Sequence, residues 1–266
     1  MDKLNNDKIR SAVRENYGKV AASGSAGCGC SPSSYCGTSR EVTAADISQG
    51  LGYSGEDVNA VPEGANMGLG CGNPQAIASL KLGETVLDLG SGGGFDCFLA
   101  AGAVGETGRV IGVDMTPEMV SKARANVAKT EFRNVEFRLG EIEHLPVADS
   151  TVDAIISNCV INLSPEKQKV FDDAFRVLKP GGRLAVSDVV ATAEFPDAVK
   201  KDMAMYTGCI TGASSIPELE GMLNRTGFEN IQIKPKDESR TFIRDWAPGS
   251  KIEDYIVSAT IEAVKP

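Results

Sequence analysis

The sequence predicts an α/β protein, an open and mostly parallel sheet with helices on both faces, and three observations carry that expectation. The stretch Thr85–Asp96, T-V-L-D-L-G-S-G-G-G-F-D, sets a short apolar run before three glycines and an apolar helical segment, which is the order strand, tight turn, helix. Arg109–Val113, R-V-I-G-V, reads as a second strand closing on Asp114, about twenty residues past the turn, where an acid can bind ribose hydroxyls. Further strand-like runs then alternate with capped helical segments as far as Val190.

In chain order, Asp7–Ala22 spaces Ile9, Val13, Tyr17 and Val20 as one face of a helix packed on the main domain. Residues 23–38 are small, Gly- and Ser-rich, and carry C-G-C-S-P-S-S-Y-C, a composition that reads as a mobile loop. Thr43–Gly50 is a short helix, and Asn73-Pro74 reads as an N-cap and first helical residue after the glycine-rich Glu63–Gly72. Gly90, Gly92 and Gly94 permit the sharp turn after the first strand, and the helix Phe95–Ala103 then points unpaired N–H groups over it. Thr116-Pro117-Glu118 caps a helix to about Lys129, and Val135–Leu139 is the third strand. Val152–Ser157 is the fourth, with Asn158 and Cys159 just past its carboxyl end; Ser164-Pro165-Glu166 caps a helix to Leu178, and Arg183–Val190 is the fifth strand. Phe195–Thr226 reads as helical with a break at G-C-I-T-G-A, Ile231–Lys234 and Tyr255–Ala263 as the last strands, and Lys236–Lys251 as a polar surface loop or hairpin.

Composition bounds the function. The 266 residues are 42% hydrophobic and 24% charged, ordinary for a globular protein able to bury a full core. A net charge of −9 argues against a nucleic-acid partner, since phosphate binding needs clustered Lys and Arg. No apolar run approaches membrane-spanning length, and the start M-D-K-L-N-N-D-K lacks a signal-peptide core, so the expected setting is cytoplasmic with no membrane partner.

The motifs V-L-D-L-G-S-G-G-G, G-V-D-M and F-R-V-L-K-P-G-G-R-L resemble those of the class I S-adenosylmethionine-dependent methyltransferases. The resemblance implies a seven-stranded Rossmann-like sheet with helices on both faces, an N-terminal helical arm and a C-terminal cap region. Residues 1–80, too poor in apolar side chains to stand alone, read as an arm with the cysteine loop packed on the main domain, followed by a cofactor-binding core (81–190) and by substrate-covering helices with the last strands (191–266). S-adenosylmethionine is the implied cofactor. Gly90, Gly92 and Gly94 would hold its methionine end, Asp114 and Met115 its ribose, and Ile142 and Glu143 its adenine, with Asp88, Ser91 and Asn158 completing the set. Read without the resemblance, Gly140–Glu143 is an exposed acidic turn.

The seven cysteines are Cys28, Cys30, Cys36, Cys71, Cys97, Cys159 and Cys209, expected as thiols in a reducing compartment. No C-x-x-C pair occurs to preform a zinc knuckle. In this fold Cys159 faces the ligand side of the sheet, and Cys71 and Cys209 sit in glycine-flanked segments able to cover it. Three thiolates converging on one thiophilic atom suit trivalent arsenic, whose lone pair attacks carbon without a base. The residues leave a second reading open, in which Cys159 and Cys209 are small buried apolar side chains. Cys97 reads as a core residue, and the single histidine, His144, as a surface residue rather than a base.

S-N-C-V-I-N-L-S-P-E-K, G-L-G-C-G-N-P and G-C-I-T-G-A resemble arsenite methyltransferase signatures, over nearly the whole chain. The resemblance implies that Cys71, Cys159 and Cys209 bind arsenic. It also implies that an N-terminal cysteine, Cys36, Cys30 or Cys28, relays thiol–disulfide exchange with a reductant such as thioredoxin or glutathione. After Cys209 the sequence carries no further cysteine, where some members have a cysteine-rich C-terminal part. Two alternatives stand beside it: a methyltransferase of a small organic acceptor such as a quinone precursor, and a non-catalytic thiol-based metalloid binder.

Overall fold

The structure is a computed structural model that describes residues 3–23, 42–196, 199 and 202–266. The relay candidates Cys28, Cys30 and Cys36, and the expected loop at 23–38 apart from Ser23, which closes the first helix, lie outside the described residues. The strands are β1 Thr85–Leu89, β2 Arg109–Asp114, β3 Val135–Leu139, β4 Val152–Asn158, β5 Leu178–Ala191, β6 Glu229–Lys236 and β7 Ile256–Val264. The helices are α1 Lys3–Ser23, α2 Ala44–Gly50, α3 Gly55–Asn59, α4 Gln75–Ala78, α5 Phe95–Val104, α6 Pro117–Val127, α7 Lys167–Val177, α8 Met203–Thr207, α9 Ile216–Thr226 and α10 Arg240–Ile243.

The seven strands form one sheet in the order β3-β2-β1-β4-β5-β7-β6. The first five run parallel, and β7 enters antiparallel between β5 and β6. Successive residues of a strand face opposite sides of the sheet, and the two cores follow that alternation. Leu87, Leu89, Ile111, Val113 and Ile155 enter the cluster with Val170, Phe171, Ala174 and Val177 of α7. Val86, Val110 and Ile156 enter the opposite cluster with Phe98, Ala101, Val120 and Ala123 of α5 and α6. This two-sided burial is why the β1 run is continuously apolar apart from Asp88.

Where sequence and structure differ, a local cause is visible. The helix expected at Asn73-Pro74 begins at Gln75, with Asn73 Oδ1 accepting the Ala76 N–H at 3.3 Å. Phe195 and Pro196, expected to open a helix, are irregular, and a capped helical turn begins at Asp202, whose carboxylate accepts the Ala204 N–H at 2.8 Å. Residues 236–251 are not a surface loop. They hold a 3₁₀ turn and α10, with Ile243 fully buried and Phe242 and Trp246 in ring contact at 5.8 Å. The mean polarity of that segment concealed Phe242, Ile243, Trp246 and Ala247, a pattern recurring one helical turn apart. Among the described residues no helix is long and apolar enough to cross a membrane.

Candidate active site

At the carboxyl ends of β1, β2 and β4 the chain leaves a cleft partly open to solvent. Such crevices at strand ends are where open α/β sheets bind ligands. Its floor is Gly90, Gly92, Asp114 and Met115; Ile142, Glu143, Asn158 and Val160 flank it; and Arg10, Val13 and Tyr17 of α1 cover it. Gly90 and Gly92 have φ of +69° and +50°. A Cβ on Gly90 would lie 2.4 Å from Val160, whereas one on Gly92 would meet nothing within 4 Å. Bare backbone therefore borders open space, as a close-fitting cofactor needs. Asp114 ties the turn to β2, its Oδ2 accepting the Gly92 N–H at 2.9 Å and its Oδ1 the Thr116 N–H at 2.8 Å. An ionised carboxylate has about four acceptor positions, so capacity for ribose hydroxyls remains.

Glu143 is buried rather than part of an exposed acidic turn. It accepts Arg10 at 3.0 Å and 3.2 Å and the Ser164 hydroxyl at 2.7 Å, while Arg10 also donates to Glu166 at 2.6 Å. Arg14 reaches Glu141 at 3.1 Å, so the helix over the cleft is fastened to the turn after β3 by ion pairs. Nothing in the spacing of α1 announces Arg10 as a partner of residues more than a hundred positions away. His144 is exposed.

Three residues expected at the cofactor do not line the cleft. Asp88 alternates away from it and accepts the Cys97 thiol at 3.2 Å inside the core; burial first, then the neighbouring Asp96, push its carboxyl well above the usual range. Ser91 is buried under Gly112, and its Oγ has no partner among the described residues. Gly94 faces Phe137 and Phe98 and serves α5 as its left-handed N-cap.

Asn158 borders the cleft, but its side chain is spent on the cysteine loop. Its Oδ1 accepts the Cys71 N–H at 3.0 Å, and its Nδ2 donates to the Gly72 carbonyl at 2.8 Å and to the Tyr53 hydroxyl at 3.0 Å. Tyr53 in turn donates to Asp96 at 2.8 Å. Burial raises Asp96 to about 6, opposed by the bonds from Tyr53 and Gln75. The glycines around Cys71 follow from this packing. A Cβ would approach the Asn158 amide to 2.7 Å from Gly70 and the Ser187 hydroxyl to 2.1 Å from Gly72. The Tyr53–Asp96–Asn158 chain was invisible to sequence reasoning because its members come from three distant elements.

Cys71, Cys159 and Cys209 are all buried, and all belong to one apolar cluster with Leu163, Ile210 and Ile243. The Cys71 and Cys159 sulfurs lie within 4.8 Å of one another. Cys209 further directs its Sγ to the Cys159 carbonyl at 2.8 Å. Contact with Cys209, then with Cys71, and then burial push the Cys159 thiol well above its ordinary value; burial raises Cys71. Cys159 and Cys209 hold φ of +58° and +63°, the left-handed region that side chains with a Cβ avoid. Such strain persists where surrounding structure over-determines it, commonly at functional sites.

Two neighbours of the thiols carried no sequence signal. Asp188 is buried, a carboxylate oxygen of it lies within 4.8 Å of the Cys71 and Cys159 sulfurs, and burial raises it to about 6. Lys167 opens α7 within electrostatic reach of Asp188 and Cys209, and burial lowers its pKa. Trp246, expected at the surface, lines the cleft beside Cys209.

Comparison with known proteins fits this geometry. A family model described as a methyltransferase domain matches residues 80–233. The chain is 58% identical over 263 residues to an arsenite methyltransferase of Halobacterium salinarum, covering 98% of this chain and 67% of that protein. It is 40% identical over 212 residues to one from Aquipseudomonas alcaligenes, covering 77% and 60%, and 34% identical over 231 residues to one from Mus musculus, covering 84% and 58%. The chain thus spans about three fifths to two thirds of the length of these relatives. Among solved structures, the arsenic(III) S-adenosylmethionine methyltransferase of Chlamydomonas reinhardtii superposes with a TM-score of 0.61 at 32% identity, covering 84% of this chain and 74% of that one.

Proposed function

The chain belongs to the arsenite methyltransferase family of S-adenosylmethionine-dependent enzymes, and from that premise we propose that it methylates trivalent arsenic held by Cys71, Cys159 and Cys209. The observation that carries the assignment is the gathering of three thiols from three distant segments into one buried cluster beside the glycine-floored cleft. Gly90, Gly92, Asp114, Met115, Ile142 and Glu143 fit the cofactor, with open space at Gly92 for its methionine end and spare acceptor capacity on Asp114 for its ribose. When bound, S-adenosylmethionine supplies a methyl carbon that an arsenic lone pair can take up with no general base.

The chain's own residues bind, align and exclude water. Each sulfur–arsenic bond forms as one arsenite hydroxyl leaves with one thiol proton as water, so neutral thiols are a suitable resting form. Asn158 fixes the Cys71 backbone to the end of β4, directly before Cys159. That fixes their separation before substrate arrives, the positioning through which an enzyme lowers a barrier by restricting orientation. Val13, Tyr17, Leu163 and Trp246 give the cleft an apolar lining against water. A thiol reductant such as thioredoxin or glutathione would reset the cysteines, through Cys36, Cys30 or Cys28.

The test is transfer of labelled methyl to arsenite in the presence of thiol, for wild type and single Cys71→Ser, Cys159→Ser and Cys209→Ser variants. Loss of transfer in each supports the proposal. Unchanged transfer in Cys159→Ser would refute the ligand role, and methylation of a quinone-like acceptor in place of arsenite would move the chain to another substrate class.

A further inference from the structure

We propose that the thiol pocket has a second ligand chemistry: Cys71, Cys159 and Asp188 form a site for a thiophilic divalent cation of the Zn²⁺ or Cd²⁺ class, whose occupancy excludes arsenic. The site shares two sulfurs with the arsenic trio and replaces Cys209 with a carboxylate. The metal site stands on the described geometry, whereas the exclusion of arsenic rests on the arsenic-binding reading above.

One ligand atom from each of the three residues lies within 4.8 Å of the other two, and all three residues are buried. A tetrahedral cation with bonds of about 2.0–2.3 Å to oxygen and sulfur spaces its ligand atoms roughly 3.5–3.8 Å apart. Gathering the trio therefore asks for about 1 Å of contraction at the side-chain tips, within rotamer adjustment.

The carboxylate has the capacity. Asp188 Oδ1 accepts Asn162 Nδ2 at 2.9 Å and the Val189 N–H at 2.8 Å, and Oδ2 accepts the Ile161 N–H at 3.0 Å. Three of about four acceptor positions are taken, which leaves one on Oδ2. All three donors are neutral amides; the charge that acts on Asp188 is that of Lys167, which makes no hydrogen bond to it and leaves the remaining acceptor position open. The Asn162 and amide bonds also fix the carboxylate in orientation, the support that metal-ligating groups generally have.

The donor set separates the two ligands. Trivalent arsenic is satisfied by three sulfurs, whereas a borderline dication accepts a mixed sulfur and oxygen shell. As the metal binds, Cys71 and Cys159 each release a proton to solvent, and the two thiolates balance its charge. A water completes the fourth position from the cleft.

The experiment uses the full chain carrying Cys28→Ser, Cys30→Ser and Cys36→Ser, so that the signal reports on the buried thiols, in a phosphine reductant. CdCl₂ is titrated against thiolate-to-cadmium charge-transfer absorption, and arsenite binding is measured separately. One Cd²⁺ per chain is expected, competing with arsenite. Asp188→Asn should weaken Cd²⁺ by at least about tenfold, the scale seen for lost metal support, with arsenite affinity nearly unchanged. Cys209→Ser should do the reverse. Should Asp188→Asn fail to fold, X-ray absorption at the cadmium edge of the unsubstituted Asp188 protein reads the shell directly. A mixed shell of two sulfurs with oxygen supports the site. A sulfur-only shell, equal loss of both ligands in both variants, or Cd²⁺ binding that survives Cys71→Ser with Cys159→Ser overturns it.

Discussion

The left-handed backbone at Cys159 gives the sharpest stability prediction. Replacing Cys159 by Ala or by Gly removes the thiol in both cases, so their difference isolates the Cβ at φ +58°. Left-handed geometry costs a residue with a Cβ about 1–2 kcal/mol. Glycine loses about 0.5–1 kcal/mol of that advantage through its greater unfolded-state entropy. Cys159→Gly should therefore be about 0.5–1 kcal/mol more stable than Cys159→Ala, a difference of about 1–4 °C in Tm for a chain of this size. Cys209, at φ +63°, should follow the same sign. Cys97 supplies the control, because it lies inside α5 with ordinary helical backbone; there Gly should be about 1 kcal/mol less stable than Ala. Urea denaturation of the six variants measures all three differences. If Gly and Ala ranked at 159 and 209 as they do at 97, the thiols would not be held on strained backbone.

The remaining expectations concern the groups that support the cleft. Arg10→Ala leaves the buried Glu143 without its cation and should cost about 3–5 kcal/mol, much of it recovered by adding Glu143→Gln; recovery absent in the double variant would mean that the ion pair does not fasten α1. Asn158→Ala removes the bonds to Cys71 and Gly72, should cost about 1–3 kcal/mol, and should quicken alkylation of Cys71 as followed by mass spectrometry; an unchanged rate would contradict the tether. Asp96 is raised to about 6 from an ordinary carboxylate value, so its neutral form favours folding below the unfolded pKa and that contribution disappears as pH rises through about 6. Asp96→Asn should accordingly gain stability relative to wild type between about pH 4 and 6 and hold a constant difference above; a difference independent of pH would place the burial elsewhere.

The parts of the protein legible in the sequence were those written locally. β3 begins and ends at Val135 and Leu139 as the pattern indicates, and the glycine turn with Asp114 emerges as the cleft floor. Cys71, Cys159 and Cys209 were legible through glycine flanks and a strand end, and they meet in one cluster. Where side chains turn away from the cleft, their direction along the strand or at its end is the physical source of the misplacement. Asp88 lies in the right strand but alternates toward Cys97, and Asn158 lies at the right strand end but turns to the Cys71 loop. Partners made by tertiary approach, Arg10 with Glu143 and Tyr53 with Asp96, leave no periodic trace. The helix α3 did leave one, the Ser54–Asp57 capping box.

The position of α10 and the turn after it has a practical consequence. The chain contains a single tryptophan, and that indole, Trp246, borders the cleft within the cysteine cluster's apolar surroundings. Its emission is therefore an intrinsic optical gauge of what enters there. Arrival of a heavy, polarisable atom or an adenine ring changes the light from one known location, with no dye attached and no second emitter of its kind to deconvolute.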